Sequence, residues 1–221
     1  MNRVEDSWIQ KIWNWADENN VSDLEWIEHD SYLKGGYFRG LPRTKEKLLG
    51  LTELNLLGSQ LAQLPAEIGK LTNLKKLYLL GNQLTELPVE IGSLVNLEEL
   101  YVSGNRLKEL PRQIGALTNL RLLLLQENQI LALPKEIGEL QSLRILELGK
   151  NQLTSLPKEI GSLTGLTKLT LWRNQLTSLP KEIGSLLSLT EFDALYNKLA
   201  LTQDDVQWLD YLMSKECSVN I

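Results

Sequence analysis

The chain has 221 residues, 43% of them hydrophobic, and a formal net charge of −5. This length and composition suffice for one folded domain with a substantial core. The acidic balance argues against a general binder of nucleic acid or anionic membranes, because both classes favour a basic surface. We therefore expect no nucleic-acid partner.

The inventory of soft metal ligands is small, since Cys217 is the only cysteine and His29 the only histidine. These two residues exclude an internal disulfide and a Cys/His zinc site, and we expect no metal and no cofactor. Residues 1–11 contain acids and no apolar segment, so we predict no signal peptide and no membrane insertion. A cytoplasmic location is the default expectation, although a secreted effector with its signal removed would look the same.

The first element in chain order is a predicted amphipathic helix. Its apolar face consists of Val4, Trp8, Ile12, Trp15 and Ala16. Trp13 lies off this face and is expected to be exposed. Ser22 and Glu25 form a capping-box signal for a second short turn before positions 26–27. Residues 1–27 are thus predicted to be a helical N-terminal cap on an open core, and the alternative is that the tryptophans form an independent binding segment.

The rest of the chain follows a period of 23 residues. All seven prolines fall on it, at Pro42, Pro65, Pro88, Pro111, Pro134, Pro157 and Pro180. Leucines from Leu51 to Leu189 and asparagines from Asn82 to Asn197 keep the same spacing. Residues 28–50 retain part of the pattern and are predicted to be a degenerate first coil. The retained positions are Leu33, Phe38, Leu41, Pro42 and Leu48.

Each unit, LxxLxLxxNxLxxLPxEIGxLxx, can be interpreted slot by slot. Leu77 and Leu79 alternate at period 2, which predicts a short strand with both side chains inward and the intervening residues outward. Asn82 follows where the chain leaves the strand, and its amide can satisfy buried backbone groups there. Pro88 is expected to stiffen the start of an outer arc, and Gly92 to permit its tight exit. The remaining interior positions are Leu84, Leu87, Ile91 and Leu94.

This unit resembles that of the leucine-rich-repeat proteins, specifically the 23-residue bacterial and Ras-group type. The resemblance implies an α/β solenoid, a leucine-rich-repeat horseshoe with a parallel concave sheet. We predict leucine-rich repeats over 51–198 and a cap over 199–221, all in one folded domain. Family members that are enzymes, such as bacterial ubiquitin ligases, carry a separate catalytic domain.

The C-terminal cap is predicted to be a helix followed by a strand. Thr202 and Asp205 give a capping signature. The apolar side of the helix is expected to contain Val206, Trp208, Leu209, Leu212 and Met213. Cys217, Val219 and Ile221 then alternate with polar residues, which predicts a final strand on the sheet edge. Cys217 is interpreted as a buried small hydrophobe in preference to a reactive thiol.

Comparison of the repeats with one another locates the candidate site. Residues 151–163 and 174–186 are identical, whereas the strands before them differ at their outward positions. Exposed apolar patches mark binding sites, and Tyr, Trp and Arg are enriched at binding hot spots. The predicted partner-binding residues are Leu57, Tyr78, Leu80, Tyr101, Leu122, Leu124, Ile145, Trp172, Arg173 and Tyr196. The alternative is that these side chains simply pack sideways on each other.

Three functions remain open, and none of them is catalytic. No set of nucleophile, base and acid converges in the sequence. The periodic glutamates at Glu67, Glu90, Glu136, Glu159 and Glu182 suit a solvated outer face. The first hypothesis is a module, expected to be monomeric, that binds a protein partner on the concave face. The others are a regulatory subunit or effector acting on an enzyme such as a small GTPase, and a self-associating structural protein.

Overall fold

The computed structural model describes residues 6–27 and 37–221, and the repeats wind into an open solenoid. Eight strands form one parallel sheet in sequence order. They are β3 (Glu53–Asn55), β4 (Lys76–Tyr78), β5 (Glu99–Tyr101), β6 (Leu122–Leu124), β7 (Ile145–Glu147), β8 (Lys168–Thr170), β9 (Glu191–Asp193) and β10 (Ser218–Asn220). From β3 to β9 each residue pairs with the one 23 positions later, as Leu54 does with Leu77. The predicted horseshoe with a parallel sheet is therefore confirmed.

The outer side of each coil is a short 3₁₀ segment. These segments are Ala66–Lys70, Val89–Ser93, Arg112–Ala116, Lys135–Glu139, Lys158–Ser162 and Lys181–Ser185. Pro88 precedes its segment with φ −64° and ψ 148°, an extended conformation that proline readily adopts. Between the sheet and these segments lies one continuous core, in which Leu77, Leu79 and Ile91 have no accessible surface. Burying each such side chain contributes roughly 1.5–3 kcal/mol.

The asparagines form the expected polar ladder inside the coils. Asn82 Nδ2 donates to the Leu79 and Leu56 carbonyls, both at 2.9 Å, and its Oδ1 accepts from the Leu61 N–H at 3.0 Å. One side chain thus binds backbone groups of its own coil and of the preceding coil. Because these groups are buried, the bonds avoid a desolvation cost of about 1–3 kcal/mol for each group.

Gly92 has a different role from the tight exit predicted for it. A Cβ at this position would lie 2.6 Å from the Gln113 carbonyl oxygen and 2.8 Å from its Cβ. Its φ is outside the left-handed region, so the backbone conformation is open to any residue. Glycine is present here because successive outer arcs approach too closely for a side chain.

The N-terminal cap is a helix followed by a two-stranded antiparallel sheet. Helix α1 (Ser7–Glu18) buries Ile9, Ile12, Trp15 and Ala16. Strand β1 (Glu25–Ile27) pairs with β2 (Tyr37–Arg39), and the short helix α2 (Lys45–Leu49) follows. The predicted turn at Ser22 and Glu25 is therefore wrong. Ser22 Oγ donates to Glu25 Oε1 at 3.3 Å, but the backbone continues as a strand.

One further prediction about the N-terminal region is wrong. Trp13 is half-buried against the core, and its indole N–H donates to the Pro42 carbonyl at 3.0 Å, so it is not an exposed residue. Phe38, one of the positions that keep part of the repeat pattern, is 56% exposed and lies in the antiparallel pair. Val4, His29 and Leu33, with the rest of 1–5 and 28–36, lie outside the described residues.

The C-terminal cap follows the prediction except at two positions. Helix α3 (Gln203–Ser214) begins with a complete capping box, in which Thr202 N donates to Asp205 Oδ2 at 2.8 Å. Trp208 packs edge-on against Phe192 with ring centroids 5.1 Å apart. Val206 and Met213 were expected on the apolar side, but both are exposed because they flank the face that contacts the core.

The final strand closes the sheet as predicted. Strand β10 pairs in parallel with β9, and Cys217 is buried beside it. Burial raises the pKa of the Cys217 thiol, which keeps it in the unreactive protonated form. Over the described ranges, none of the helices has the length and apolar character needed to cross a bilayer.

Candidate protein-binding face

The outward side chains of neighbouring strands form a continuous apolar band on the sheet. Tyr78, Tyr101 and Leu124 occupy paired positions on β4, β5 and β6, and Leu122 pairs with Ile145 on β6 and β7. The Tyr78 and Tyr101 rings are stacked, with centroids 4.5 Å apart and planes 17° apart. All five side chains are half-buried. Sideways packing therefore holds the band in place while leaving part of it accessible.

Two ion-pair networks flank this band. Lys76 lies between Glu99, at 3.4 Å, and Glu53, at 3.9 Å. In the second network, Lys168 lies between Glu147, at 2.9 Å, and Glu191, at 3.1 Å. The hydrogen bonds of the Lys168 ammonium group to Glu147 and Glu191 raise the pKa of Lys168. Each network pairs one cation with two carboxylates, so an apolar centre is bordered by a net negative charge on both sides.

Sequence reasoning missed these networks, although the residues of each one keep the period of the repeats. Glu53, Lys76 and Glu99 follow one another at the 23-residue period, as do Lys168 and Glu191. Opposite charges one period apart are cross-strand neighbours in a parallel sheet with this register, and such pairs attract. The signal in the sequence that could have predicted the networks was the alternation of charge between positions 23 residues apart.

A second cluster lies where the strands end. Trp172 covers Gly149 of the preceding coil, where any Cβ would overlap the indole ring. Arg173 lies between two rings, with its guanidinium carbon 5.6 Å from the Trp172 centroid and 5.4 Å from that of Tyr196. Lys150 Nζ also lies over the Trp172 ring, 5.3 Å from its centroid. Cation–π contacts of this kind are worth about 0.5–1 kcal/mol at exposed sites.

The backbone at this cluster has an unusual conformation. Glu127, Lys150, Arg173 and Tyr196 all have positive φ, between 51° and 59°. Glycine occupies the equivalent corner in the first three coils, at Gly58, Gly81 and Gly104. A side chain in the left-handed region costs roughly 1–2 kcal/mol. Four consecutive coils thus carry side chains at a corner that favours glycine.

The structure brings most of the predicted site residues together, but not all. Leu57 is only 7% exposed, so its prediction as a surface residue is wrong. Asn55 and Thr170, the third residues of β3 and β8, are buried as well. Leu80 is half-buried and lines a shallow groove apart from the aromatic stack. Arg173 and Tyr196 are exposed and belong to the second cluster, not to the apolar band.

The Tyr101 hydroxyl gives a prediction that tests this geometry. It donates to Glu99 Oε2 at 2.6 Å, and burial together with this bond raises the pKa of Tyr101. We expect Tyr101 to stay protonated in the folded protein well above pH 10, the ordinary value for tyrosine. The tyrosinate absorbance of the wild type and of Tyr101→Phe should therefore coincide up to the pH at which the protein unfolds.

The same shift affects stability at high pH. The pKa of Tyr101 is higher in the folded protein than in the unfolded chain. The protonated Tyr101 hydroxyl therefore contributes its full stabilisation below pH 10, and this contribution declines as the pH rises above 10. A Tyr101 absorbance change near pH 10 in the folded protein would contradict this placement of the hydroxyl.

The comparisons agree with this architecture. A model described as "Leucine-rich repeat region" matches residues 109–213, and one described as "Leucine Rich repeats (2 copies)" matches 72–113, so together they cover more than half of the chain. A search among curated proteins found no match. No group of three or more His, Cys, Asp or Glu residues in the described part of the chain could hold a metal ion.

Solved structures give the same result. A Leptospira interrogans leucine-rich-repeat protein is 35% identical with a TM-score of 0.56, over 76% of this chain and 55% of that one. The ectodomain of the Arabidopsis thaliana membrane receptor kinase GASSHO1/SCHENGEN3, in complex with CASPARIAN STRIP INTEGRITY FACTOR 2, is 30% identical with a TM-score of 0.66, over 71% and 20%. The plant peptide hormone receptor RGFR1, in complex with RGF2, is 35% identical with a TM-score of 0.62, over 69% and 26%. The chain thus spans about half of the Leptospira protein and about a quarter or less of the two receptors.

Proposed function

We propose that this chain, which belongs to the leucine-rich-repeat proteins, is a non-catalytic module that binds a partner protein on the concave face of its sheet. The observation that carries the proposal is the apolar band of Tyr78, Tyr101, Leu122, Leu124 and Ile145, held in register on four adjacent strands. Apolar surface arranged in this way, beside aromatic side chains, is typical of the centre of a protein interface.

The charges around the band suggest the chemistry of the partner. Each network has one more carboxylate than it has cations, so an apolar segment with Lys or Arg near both ends would be complementary to this face. The second cluster adds Trp172, Arg173 and Tyr196 at the margin of the face. The side chains in the left-handed corner there support an interacting role, because backbone strain persists mainly where function requires it.

The structural neighbours are consistent with this proposal. Two of them are plant receptors that were solved in complex with a partner, and both are at least 30% identical to this chain over about 70% of its length. Binding on this chain is proposed by similarity to them and by the chemistry of its own sheet. We also propose that the repeats are of the 23-residue bacterial and Ras-group type, because cross-strand pairs from β3 to β9 all lie 23 residues apart.

We further propose that the module acts as a monomer and in the cytoplasm, with a secreted effector as the alternative. The described residues offer no contact that favours the regulatory or the self-associating alternative. Sedimentation that shows a dimer at micromolar concentration would contradict the monomer.

A matched pair of charge substitutions tests the binding face. Leu124→Glu places a carboxylate in the middle of the apolar band, whereas Leu131→Glu makes the same change at a leucine that is 54% exposed and outside the sheet. We expect Leu124→Glu to weaken partner binding at least tenfold, because the charge must be desolvated on binding. Affinity capture from native lysate, followed by quantitative mass spectrometry, compares the two variants with the wild type.

The expected result is a protein that the wild type and Leu131→Glu retain and Leu124→Glu loses. Melting temperatures of both variants should stay close to that of the wild type, because neither side chain enters the core. Equal retention of every captured protein by a folded Leu124→Glu variant would show that binding does not use this face.

A further inference from the structure

A cavity of about 540 Å³ opens beside the first strand of the sheet, next to the N-terminal cap. Its apolar walls include Leu24, Phe38, Pro42, Leu51 and Tyr78. The volume lies within the range of about 300–1,000 Å³ that is common for ligand sites. Because Tyr78 belongs both to this wall and to the apolar band, the cavity is continuous with the proposed binding face.

Asn55 lines this cavity, and its almost wholly buried amide is a hydrogen-bond donor of fixed orientation. The side chain is only 4% exposed, and its Oδ1 accepts from the Leu57 N–H at 3.0 Å. An N–H group can bond only to the oxygen of the amide, so this bond determines which way the amide lies. The Nδ2 group then has no hydrogen-bond acceptor among the residues that the structure describes.

The equivalent residue of the last coil shows that the turn does not need this donor. Asp193 occupies the position of Asn55 on β9, and its Oδ1 accepts from the Leu195 N–H, also at 3.0 Å. A carboxylate therefore makes the same local bond as the amide. A buried donor without an acceptor costs about 1–3 kcal/mol, and the fold gains nothing from it. The donor is accounted for if a bound group supplies the acceptor.

The charges at the cavity indicate a neutral acceptor. Lys47 and Glu53 both line it, so one cation offsets one anion. A carbonyl oxygen fits such a lining, because the lining offers no net opposite charge to a free carboxylate or to an ammonium group. The apolar walls would at the same time bury a large side chain.

We propose that this cavity seats one large apolar residue of the partner, whose peptide carbonyl accepts a hydrogen bond from Asn55 Nδ2. The proposal rests on the proposed function and adds the position and chemistry of one anchor residue. It places that anchor at the N-terminal end of the face, while the apolar band contacts the segment that continues along the sheet.

The test uses N-acetyl-phenylalanine methylamide as the probe, titrated into the full chain and followed by heteronuclear NMR. We expect saturable shifts of the Asn55 side-chain amide and of the Leu51 and Leu24 backbone amides. N-acetyl-alanine methylamide has the carbonyl without the large side chain, and it should bind at least several-fold more weakly. N-acetyl-phenylalanine with a free carboxylate should also bind more weakly than the methylamide.

Asn55→Asp is the decisive variant because it keeps the bond to Leu57 and removes the donor. We expect it to lower the probe affinity roughly tenfold, the effect of losing one hydrogen bond at a buried group. Asp193→Asn is the matched control, since it creates the same amide in the last coil and should give no new probe site. A dispersed amide spectrum reports that each variant is folded.

Several results would overturn the proposal. They are an absence of saturable shifts at Asn55, equal affinity of the folded Asn55→Asp variant, equal binding of the alanine probe, and tighter binding of the free carboxylate. None of them affects the capture experiment with Leu124→Glu, so failure of the cavity and failure of the binding face are distinguishable.

Discussion

Asn128→Ala is expected to lower the free energy of unfolding by roughly 3–5 kcal/mol, since it strips partners from several buried backbone groups. In the wild type, Asn128 Nδ2 donates to the Val102 and Leu125 carbonyls, both at 3.0 Å, and Asn128 Oδ1 accepts from the Leu107 N–H at 3.0 Å. Alanine satisfies none of these groups, and the site is too buried for bulk water to replace the amide. Urea denaturation followed by circular dichroism measures the loss.

Asn119→Ala is the control for this prediction because it removes the same side chain from an exposed position. Asn119 makes one bond, from Nδ2 to the Val95 carbonyl at 2.8 Å, and water can replace it. We expect a loss below about 1 kcal/mol. Similar losses for the two variants would mean that the ladder does not stabilise the coils as its geometry indicates.

Gly138→Ala is expected to destabilise the protein by roughly 2–4 kcal/mol through a clash between adjacent coils. The new Cβ would lie 2.5 Å from the Glu159 carbonyl oxygen and 2.8 Å from the Glu159 Cβ. Both atoms belong to the neighbouring outer arc, so relief requires the two coils to move apart. Thermal denaturation should show a clear decrease in melting temperature.

Gly184→Ala makes the identical change in the last coil and serves as the comparison. A Cβ there meets no atom within 4 Å, and the backbone is not in the left-handed region. Alanine should be neutral or stabilising by up to about 1 kcal/mol, because it restricts the unfolded chain. If Gly138→Ala were equally harmless, the spacing between arcs would have to be more adaptable than the structure indicates.

The repeats could be predicted closely because each of their positions is tested many times over in one sequence. The inward Leu77 and Leu79, the ladder residue Asn82 and the proline before each arc recur with a constant period, and the same packing satisfies every copy. Residues 20–50 keep only part of this repetition. Glu25 signals a helix start by local chemistry, yet pairing with β2 decides its conformation, and that pairing is a tertiary interaction.

The candidate site could be located from the sequence but not described in detail. The alternation at period 2 identified which side chains face outward, and the register made Tyr101 and Leu124 neighbours as expected. Exposure was harder to predict, because it depends on which neighbouring side chains cover each position. Leu57 follows the same sequence rule as Leu80, but it lies in the coil next to the cap and is buried. The unpaired donor of Asn55 required coordinates for every surrounding acceptor.

The constant register of the sheet has a consequence for how such a chain can change over generations. Because every coil presents the same interior to its neighbours, duplication or deletion of one 23-residue unit within a gene would leave all core contacts of the same kind. Each added unit would lengthen the face by about 4.8 Å, the spacing between strands. The identical stretches at 151–163 and 174–186 are what a duplication of this kind leaves, with strand residues free to diverge.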